Sequence, residues 1–469
     1  MAGNTEKSRT ASFLQRILKL PWALLVCLLF LFAAHNEVMH LKRHRSLNVL
    51  QWDVAGYHHY LPAAFIYNDL QDLEFLRKHI PFATRHHDEI EWFGIYTSKI
   101  TGHHYTKFPY GVALLNSPGF LLAHIWTFWI DTNHPPDGYS EAYQHAVEIS
   151  TFLYVLFGLL VLRRFLQRYL PEIHVAIALA AIAFGTNLFF YSTHNAGMSH
   201  GYVFFLFAIV LERTDAWHRK PSLGAAMVLG GTLGVILITR PIDALIGIVP
   251  LLWHITSRRS LIEKSELIKG NKLHLVIGAL MLILPIIPQM LYWKVTTGSF
   301  IFYSYGDEGF AFHPENIFNG LFSYRKGWFV YTPLAFIGVL ALLFMILRRK
   351  ITGIVIPSFI FLLLIIPAVF SWHQWWYGGG FGARVLVESL AVIALPIGWL
   401  SRTLFDRSRW AWLLHVLIIY GCIELNMLQQ HQYTVSLLHY DSMNKERYWE
   451  IFLKRDWEGV RKFPYEEEQ

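Results

Sequence analysis

The sequence predicts an all-α polytopic integral membrane protein, and three observations carry the prediction. Hydrophobic residues make up 54% of the 469-residue chain, charged residues only 16%, and the mean hydropathy is +0.34. That is too apolar for a soluble chain of this length. Many apolar runs approach membrane length, and ionisable residues fall toward their ends. Finally, 17 Trp, 23 Tyr and 35 Phe supply the rings that anchor a protein at lipid headgroups.

The elements follow in order. Lys7, Arg9, Arg16 and Lys19 precede an apolar run over 20–34 with no small-residue cleavage site after it, so an uncleaved signal-anchor is expected. Further spans are expected near 147–162, 174–191, 200–213, 223–239, 241–256, 273–293, 329–347, 351–370, 385–400 and 410–427. The total is about eleven, several of them short for a ~20-residue crossing. Loops dense in Lys and Arg face the cytoplasm. Five qualify: Arg163-Arg164 with Arg168, Arg213 with Arg219-Lys220, Arg258-Arg259 through Lys272, Arg348-Arg349-Lys350, and Arg402 with Arg407 and Arg409. They fall at alternate connections, so they agree with one another.

The run Gly111–Ile130 is apolar enough to span, but spanning would invert every later loop. With Pro109, Pro118 and Gly119 about it, it is expected to lie in or dip into the outer leaflet. Residues 35–146 then form one long external region, and the tail from about Leu428 is also external. Residues 1–400 read as one transmembrane module, with 401–469 holding the last span and the tail. The net charge of +7 comes from basic residues beside apolar runs, which suits anionic membrane lipids and topology rather than nucleic acid. Cys27 and Cys422 lie in apolar runs and imply neither a disulfide framework nor a zinc site.

The informative residues lie on the external side. Asp53, in Trp52-Asp53-Val54-Ala55-Gly56-Tyr57-His58-His59-Tyr60, suits a helix cap or a general base at the membrane surface. Tyr57, His58 and His59 follow it as substrate-contact candidates, though paired histidines are equally surface residues or metal ligands. Lys107-Phe108-Pro109 places an ammonium where it can snorkel or meet a lipid phosphate. The polar turn Tyr191–His200 adds His194 and His200.

Arg240, Arg325-Lys326 and Arg384 each precede an inward-running span. A cation there opposes the helix dipole unless an anion binds or a carboxylate such as Asp243, Asp307, Glu308 or Glu388 pairs with it. The loop Ser371–Arg384 holds Trp372, Trp375 and Trp376 before a glycine run. Indole faces suit sugar C–H groups, and an interfacial aromatic belt is the alternative.

In this order and on this common side, these motifs resemble the GT-C superfamily of membrane glycosyltransferases that use polyprenyl-phosphate sugars. Within it the likeness is to bacterial relatives of protein O-mannosyltransferases and lipid A aminoarabinose transferases. The shared pattern is an acid soon after the first span (Asp53), a lysine-proline element before an interfacial helix (Lys107-Phe108-Pro109), a span ending in Arg163-Arg164, and a polar external turn. It covers roughly residues 10–400.

The resemblance implies a GT-C-like fold and transfer of a monosaccharide from a polyprenyl-phosphate donor to a glycan, glycolipid or protein acceptor. It implies an active site on the periplasmic face of the inner membrane, with Asp53 as the inverting base and Lys107 on the donor phosphate; Arg240, Arg325, Lys326 and Arg384 are further phosphate candidates. Many relatives carry a metal-binding acid in the second external turn. Thr193–His200 has none, so a divalent metal stays open: His194 or His200 replaces the acid, or no ion is needed. A lipid-linked sugar flippase would place ionisable groups at mid-span, whereas His174, Glu212, Glu388 and Glu424 sit toward span ends. A non-catalytic scaffold leaves the external arginines without a role. Asp88, Glu89 and Glu91 are the next acids in the same external region.

Overall fold

The computed structural model describes residues 20–44, 49–79, 94–131 and 133–461. The basic residues before the first span, and Asp88, Glu89 and Glu91, lie outside the described residues. The architecture is an all-helical membrane bundle whose only described sheet is one short hairpin.

Among the described residues, six helices are long and apolar enough to cross a bilayer: Trp22–Leu41, Gly111–Trp129, Glu141–Leu166, Lys272–Thr297, Thr352–Phe370 and Arg409–Thr434. Glu172–Phe184, Leu223–Thr239, Pro241–Leu252 and Pro333–Leu347 are shorter apolar helices. Each of the eleven expected spans coincides with helix. Ser199–Arg219 and Leu390–Arg407 account for two more of them, and carry polar or charged residues toward their ends.

Local chemistry sets the boundaries. Ser222 and Ser408 cap their helices by accepting hydrogen bonds from the Ala225 and Ala411 amides. Ser257 and Ser260 close a reciprocal capping box at the start of Arg258–Gly270. Pro333 opens its helix at a position where a missing amide costs nothing.

Gly111–Trp129 packs along Glu141–Leu166. The Tyr154 hydroxyl donates to the Leu115 carbonyl at 2.8 Å, and His124 Nδ1 lies 2.6 Å from the Tyr143 hydroxyl. The helix therefore runs antiparallel to the first half of Glu141–Leu166. Its Leu122, Ile125, Phe128 and Trp129 stay exposed, as a lipid-facing stripe would.

Small residues and buried polar pairs join the spans. At Gly230 an added Cβ would collide with the Gly278 carbonyl, and at Gly234 with the Leu282 carbonyl. Leu223–Thr239 and Lys272–Ile283 thus cross at backbone contact through a small-xxx-small face. The Tyr202 hydroxyl lies 2.8 Å from Thr151 Oγ1 and donates to Asn116 Oδ1 at 2.7 Å, tying three helices together.

The connections separate into two ends. At one end Arg168 pairs with Glu212 and, at 2.7 Å, with Asp215, and Lys264 donates to the Trp253 carbonyl at 3.1 Å. The His254 amide there meets the Gly353 carbonyl at 2.8 Å. These are the basic connections of the sequence. The opposite end gathers Asp53, Lys107, Met198, Arg240 and Arg384 about one cavity.

Candidate functional site

A cavity of about 330 Å3 opens at this second end. Among the residues singled out in the sequence, Asp53, Tyr57, Lys107, His200, Arg240, Glu308, Trp372 and Arg384 line it. Each is placed by a break or turn in the chain.

Asp53 stands in the first turn of the helix Trp52–His58. Gln51 is the N-cap residue, and it makes no side-chain cap bond. The capping alternative for Asp53 is therefore set aside. Its Oδ2 instead accepts from Arg384 Nη2 at 3.2 Å. Tyr57, four residues on, shares that helix face. Burial, and after it the Asp53 carboxylate, pushes the Tyr57 phenol up to about 12, so Tyr57 is a neutral donor at ordinary pH.

Lys107 leaves the antiparallel hairpin of Ile95–Thr97 and His104–Thr106, in which Tyr96 pairs with Tyr105. The Lys107 amide extends the hairpin by donating to the Gly94 carbonyl at 2.7 Å. Its Nζ reaches Glu308 Oε1 at 2.9 Å and lies 5.8 Å from the centre of the Tyr305 ring.

Arg240 ends Leu223–Thr239 in an extended conformation, φ −145°, as the residue before Pro241 must. Its Nε donates to Asp243 Oδ2 at 2.7 Å and lies 3.8 Å from Glu388 Oε1. His200 Nδ1 is 3.2 Å from Glu388 Oε2. Asp243 and Glu388 are fully buried, so Arg240 is held from behind the cavity.

Arg384 follows the glycine run. Gly380, at φ 151°, lets the loop pass so close to Tyr191 that an added Cβ would lie 2.9 Å from its hydroxyl. The Phe381 amide then donates to that hydroxyl at 3.0 Å. Thus the glycines set the course of the loop that carries Arg384, and they are not among the cavity-lining residues.

The other candidates lie elsewhere. His58 Nε2 is 2.7 Å from the Gly138 carbonyl, and His59 Nδ1 is 3.1 Å from the Tyr139 hydroxyl. Burial lowers both imidazoles, to about 4 and about 3, so both are neutral core histidines. His194 pairs with Glu37 at 3.1 Å and stacks on Phe190. His194 and His200 thus turn to different partners, and among the described residues no group of three or more His, Cys, Asp or Glu is arranged to hold a metal ion.

Arg325 pairs with Asp441 at 2.9 Å and lies 3.8 Å from the centre of the Trp376 ring. The Trp376 indole also donates to Asp441 at 2.8 Å. Trp375 packs against the core beside it. Lys326 is buried and donates to the Gly380 carbonyl, and burial pushes its ammonium down to about 7. Arg325, Lys326 and Trp376 fasten the C-terminal tail to the loop 371–384, and none of the four lines the cavity.

Several lining residues escaped the sequence reading as contacts. Phe302, Tyr303, Ser304, Tyr305 and Phe310 come from the segment after Thr297, with Trp293 and Tyr377 nearby. The run Tyr303-Ser304-Tyr305-Gly306-Asp307-Glu308, aromatic and acidic between apolar stretches, was the available signal. The cavity therefore joins three cations, two carboxylates and an aromatic wall, chemistry suited to an anionic group attached to a sugar or lipid.

No family model matches the chain, and no curated protein does. Solved structures do. The oligosaccharyltransferase of Archaeoglobus fulgidus in the apo form aligns with a TM-score of 0.55 at 13% identity, over 95% of this chain and 62% of that one. The same organism's oligosaccharyltransferase AglB, in complex with an inhibitory peptide and a dolichol-phosphate, gives 0.53 at 13%, over 94% and 61%. ArnT from Cupriavidus metallidurans in the apo state gives 0.52 at 15%, over 88% and 65%. The chain thus spans less than two thirds of the length of each of these neighbours. At these identities the likeness concerns the fold alone: this chain is a multi-pass helical membrane protein that shares its overall fold with AglB and ArnT.

Proposed function

We propose that the protein transfers a monosaccharide from a polyprenyl-phosphate donor to a glycan, glycolipid or protein acceptor at the external face of the plasma membrane. The observation that carries this reading is the Asp53–Arg384 pair, 3.2 Å apart, in a cavity that also holds Lys107 and Arg240. A carboxylate base and clustered cations are what such a transfer needs. The donor sugar enters with its phosphate toward Lys107 and Arg384. Asp53 removes a proton from the acceptor hydroxyl or amine as that atom attacks the anomeric carbon from the face opposite the leaving group. The glycosidic C–O bond to phosphate breaks with inversion, and the cations stabilise the charge that grows on the departing lipid phosphate. The aromatic wall gives the sugar ring its apolar contacts.

Two further points support the reading. AglB, one of the fold neighbours, has been solved with a dolichol-phosphate. The cavity also sits at the end of the bundle away from the basic connections, which suits an external site. Residues 1–400 serve as the transferase module in this account, with 401–469 as its last span and its external tail. The test is mass spectrometry of lipids and glycans from cells with and without the gene. One glycan lacking one sugar is expected; unchanged glycans alongside a lipid-linked sugar accumulating on the cytoplasmic face would favour a flippase.

A further inference from the structure

The three cavity cations are held in different ways. Arg240 is gripped by Asp243 and Glu388, both fully buried behind it. Lys107 is paired from within the cavity, because Glu308 lines the cavity and its side chain is 29% exposed. An incoming anion cannot displace the first pair without unfolding the wall. It can displace the second, since a partly exposed ion pair is worth only a modest amount.

Glu308 belongs to the segment Gly298–His313, which has almost no regular structure among its residues. Few bonds hold it. The Ser304 hydroxyl donates to the Lys107 carbonyl at 2.7 Å, the Ala311 amide to the Ser371 carbonyl at 2.6 Å, and the His373 amide to the Gly309 carbonyl at 2.9 Å. Within the segment, the Tyr303 hydroxyl donates to the Glu308 carbonyl at 2.7 Å. Phe300, Ile301, Phe310 and Phe312 are at least half exposed, and the lipid-facing Ile286–Thr297 helix leads directly into it. The segment thus forms a strap between the cavity and an apolar outer surface.

We infer that Glu308 is an internal stand-in for the donor's phosphate: it pairs with Lys107, and the strap that carries it is a latch which the lipid-linked phosphate displaces on entry. The inference rests on the reading of the cavity as a donor-phosphate site. An anion arriving at Lys107 must compete with a carboxylate already 2.9 Å away. Displacing Glu308 turns its charge against the bound phosphate, so the strap must move away, carrying Tyr303 and Tyr305 with it. Entry of the donor and opening of the aromatic wall are thereby one event. Neutral compounds, which cannot exchange with Glu308, leave the latch shut.

The test measures equilibrium binding of a short-chain polyprenyl monophosphate to the purified full-length protein, with inorganic phosphate in parallel. Glu308→Gln should bind the lipid phosphate about fivefold more tightly than wild type, the size of one lost competing ion pair. Lys107→Ala should bind more weakly, and the double variant should lose the gain. If Glu308→Gln misfolds, Glu308→Asp shortens the reach to Lys107 and should change affinity in the same direction. Unchanged or weaker binding by both Glu308 variants, with Lys107→Ala still impaired, overturns the latch and leaves the phosphate site standing. No binding of lipid phosphate by any form overturns the donor-site reading itself, and the latch with it. A gain seen with inorganic phosphate and not with the lipid form contradicts a latch opened by a lipid-linked donor.

Discussion

At the scale of single residues, a rotation of about 100° separates function from core. Asp53 and Tyr57 are four apart on one short helix and both line the cavity. His58, one position further, turns into the core against Gly138. The residue types were legible in the sequence and the direction was not, because seven helical residues carry too little periodicity to fix which face is buried. Trp376 and Arg325 illustrate a second limit. Both are suited to a sugar-phosphate, yet both are taken by Asp441, which lies 65 residues beyond Trp376 in the chain.

The buried histidines give a pH prediction. Burial holds His58 near 4 and His59 near 3, whereas an unfolded histidine titrates near 6.5. The unfolded chain therefore takes up protons before the native state does. The stability that these residues contribute is present above pH 6.5 and is lost as pH falls toward about 4, by roughly 1.4 kcal/mol per pH unit per histidine. Melting temperature in detergent should fall between pH 7 and pH 5, and His59→Phe should flatten the fall. A slope identical to wild type in that variant removes His59 from the account. For the cations, Lys107→Ala and Arg384→Ala should each raise the donor concentration needed for half-maximal transfer while melting normally. Unchanged donor dependence in both would dissociate them from the phosphate.

At the scale of elements, hydropathy located the helices well and their ends poorly. The expected span 174–191 is Glu172–Phe184 followed by a separate turn Leu188–Ser192, and 241–256 begins as a 3-10 helix over Pro241–Gly247. Helix irregularities of this kind depend on packing that an apolar run does not encode. The run Gly111–Ile130 shows the same limit: its composition left its packing partner undetermined, and contacts with Tyr143 and Tyr154 lay it antiparallel to Glu141–Leu166. The crossing at Gly230 and Gly234 gives a direct test. Gly230→Val should destabilise by several kcal/mol, since a side chain there must force two backbones apart. Gly231→Ala should be tolerated, because its nearest added contact is the Met281 carbonyl at 3.9 Å. Equal protease resistance of both variants would show that the crossing is not close.

At the scale of the whole molecule, charge asymmetry was the readable signal. The five basic connections gather at the end opposite the cavity, as alternation requires; of the basic residues expected outside, Arg240 and Arg384 reach the cavity, whereas Arg325 and Lys326 do not. The aromatic strap before Glu308 was the part the sequence hid. Its residues gain meaning only from contact with Lys107, some 200 positions earlier in the chain. Topology is testable as a unit: a reporter fused after Arg168 should report cytoplasm and one after Gln469 the outside. A cytoplasmic signal from the tail fusion would reverse the orientation of the site.

The central claim is that Asp53 is the base of a sugar transfer, and the direct measurement is transfer by purified Asp53→Asn from a polyprenyl-phosphate sugar. Asparagine keeps the size and removes the basic carboxylate. The rate should fall by ~10²–10⁴-fold, the usual contribution of a general base, with melting temperature and membrane insertion unchanged. Near-normal transfer by that variant would contradict the account and return Asp53 to a partner of Arg384 alone.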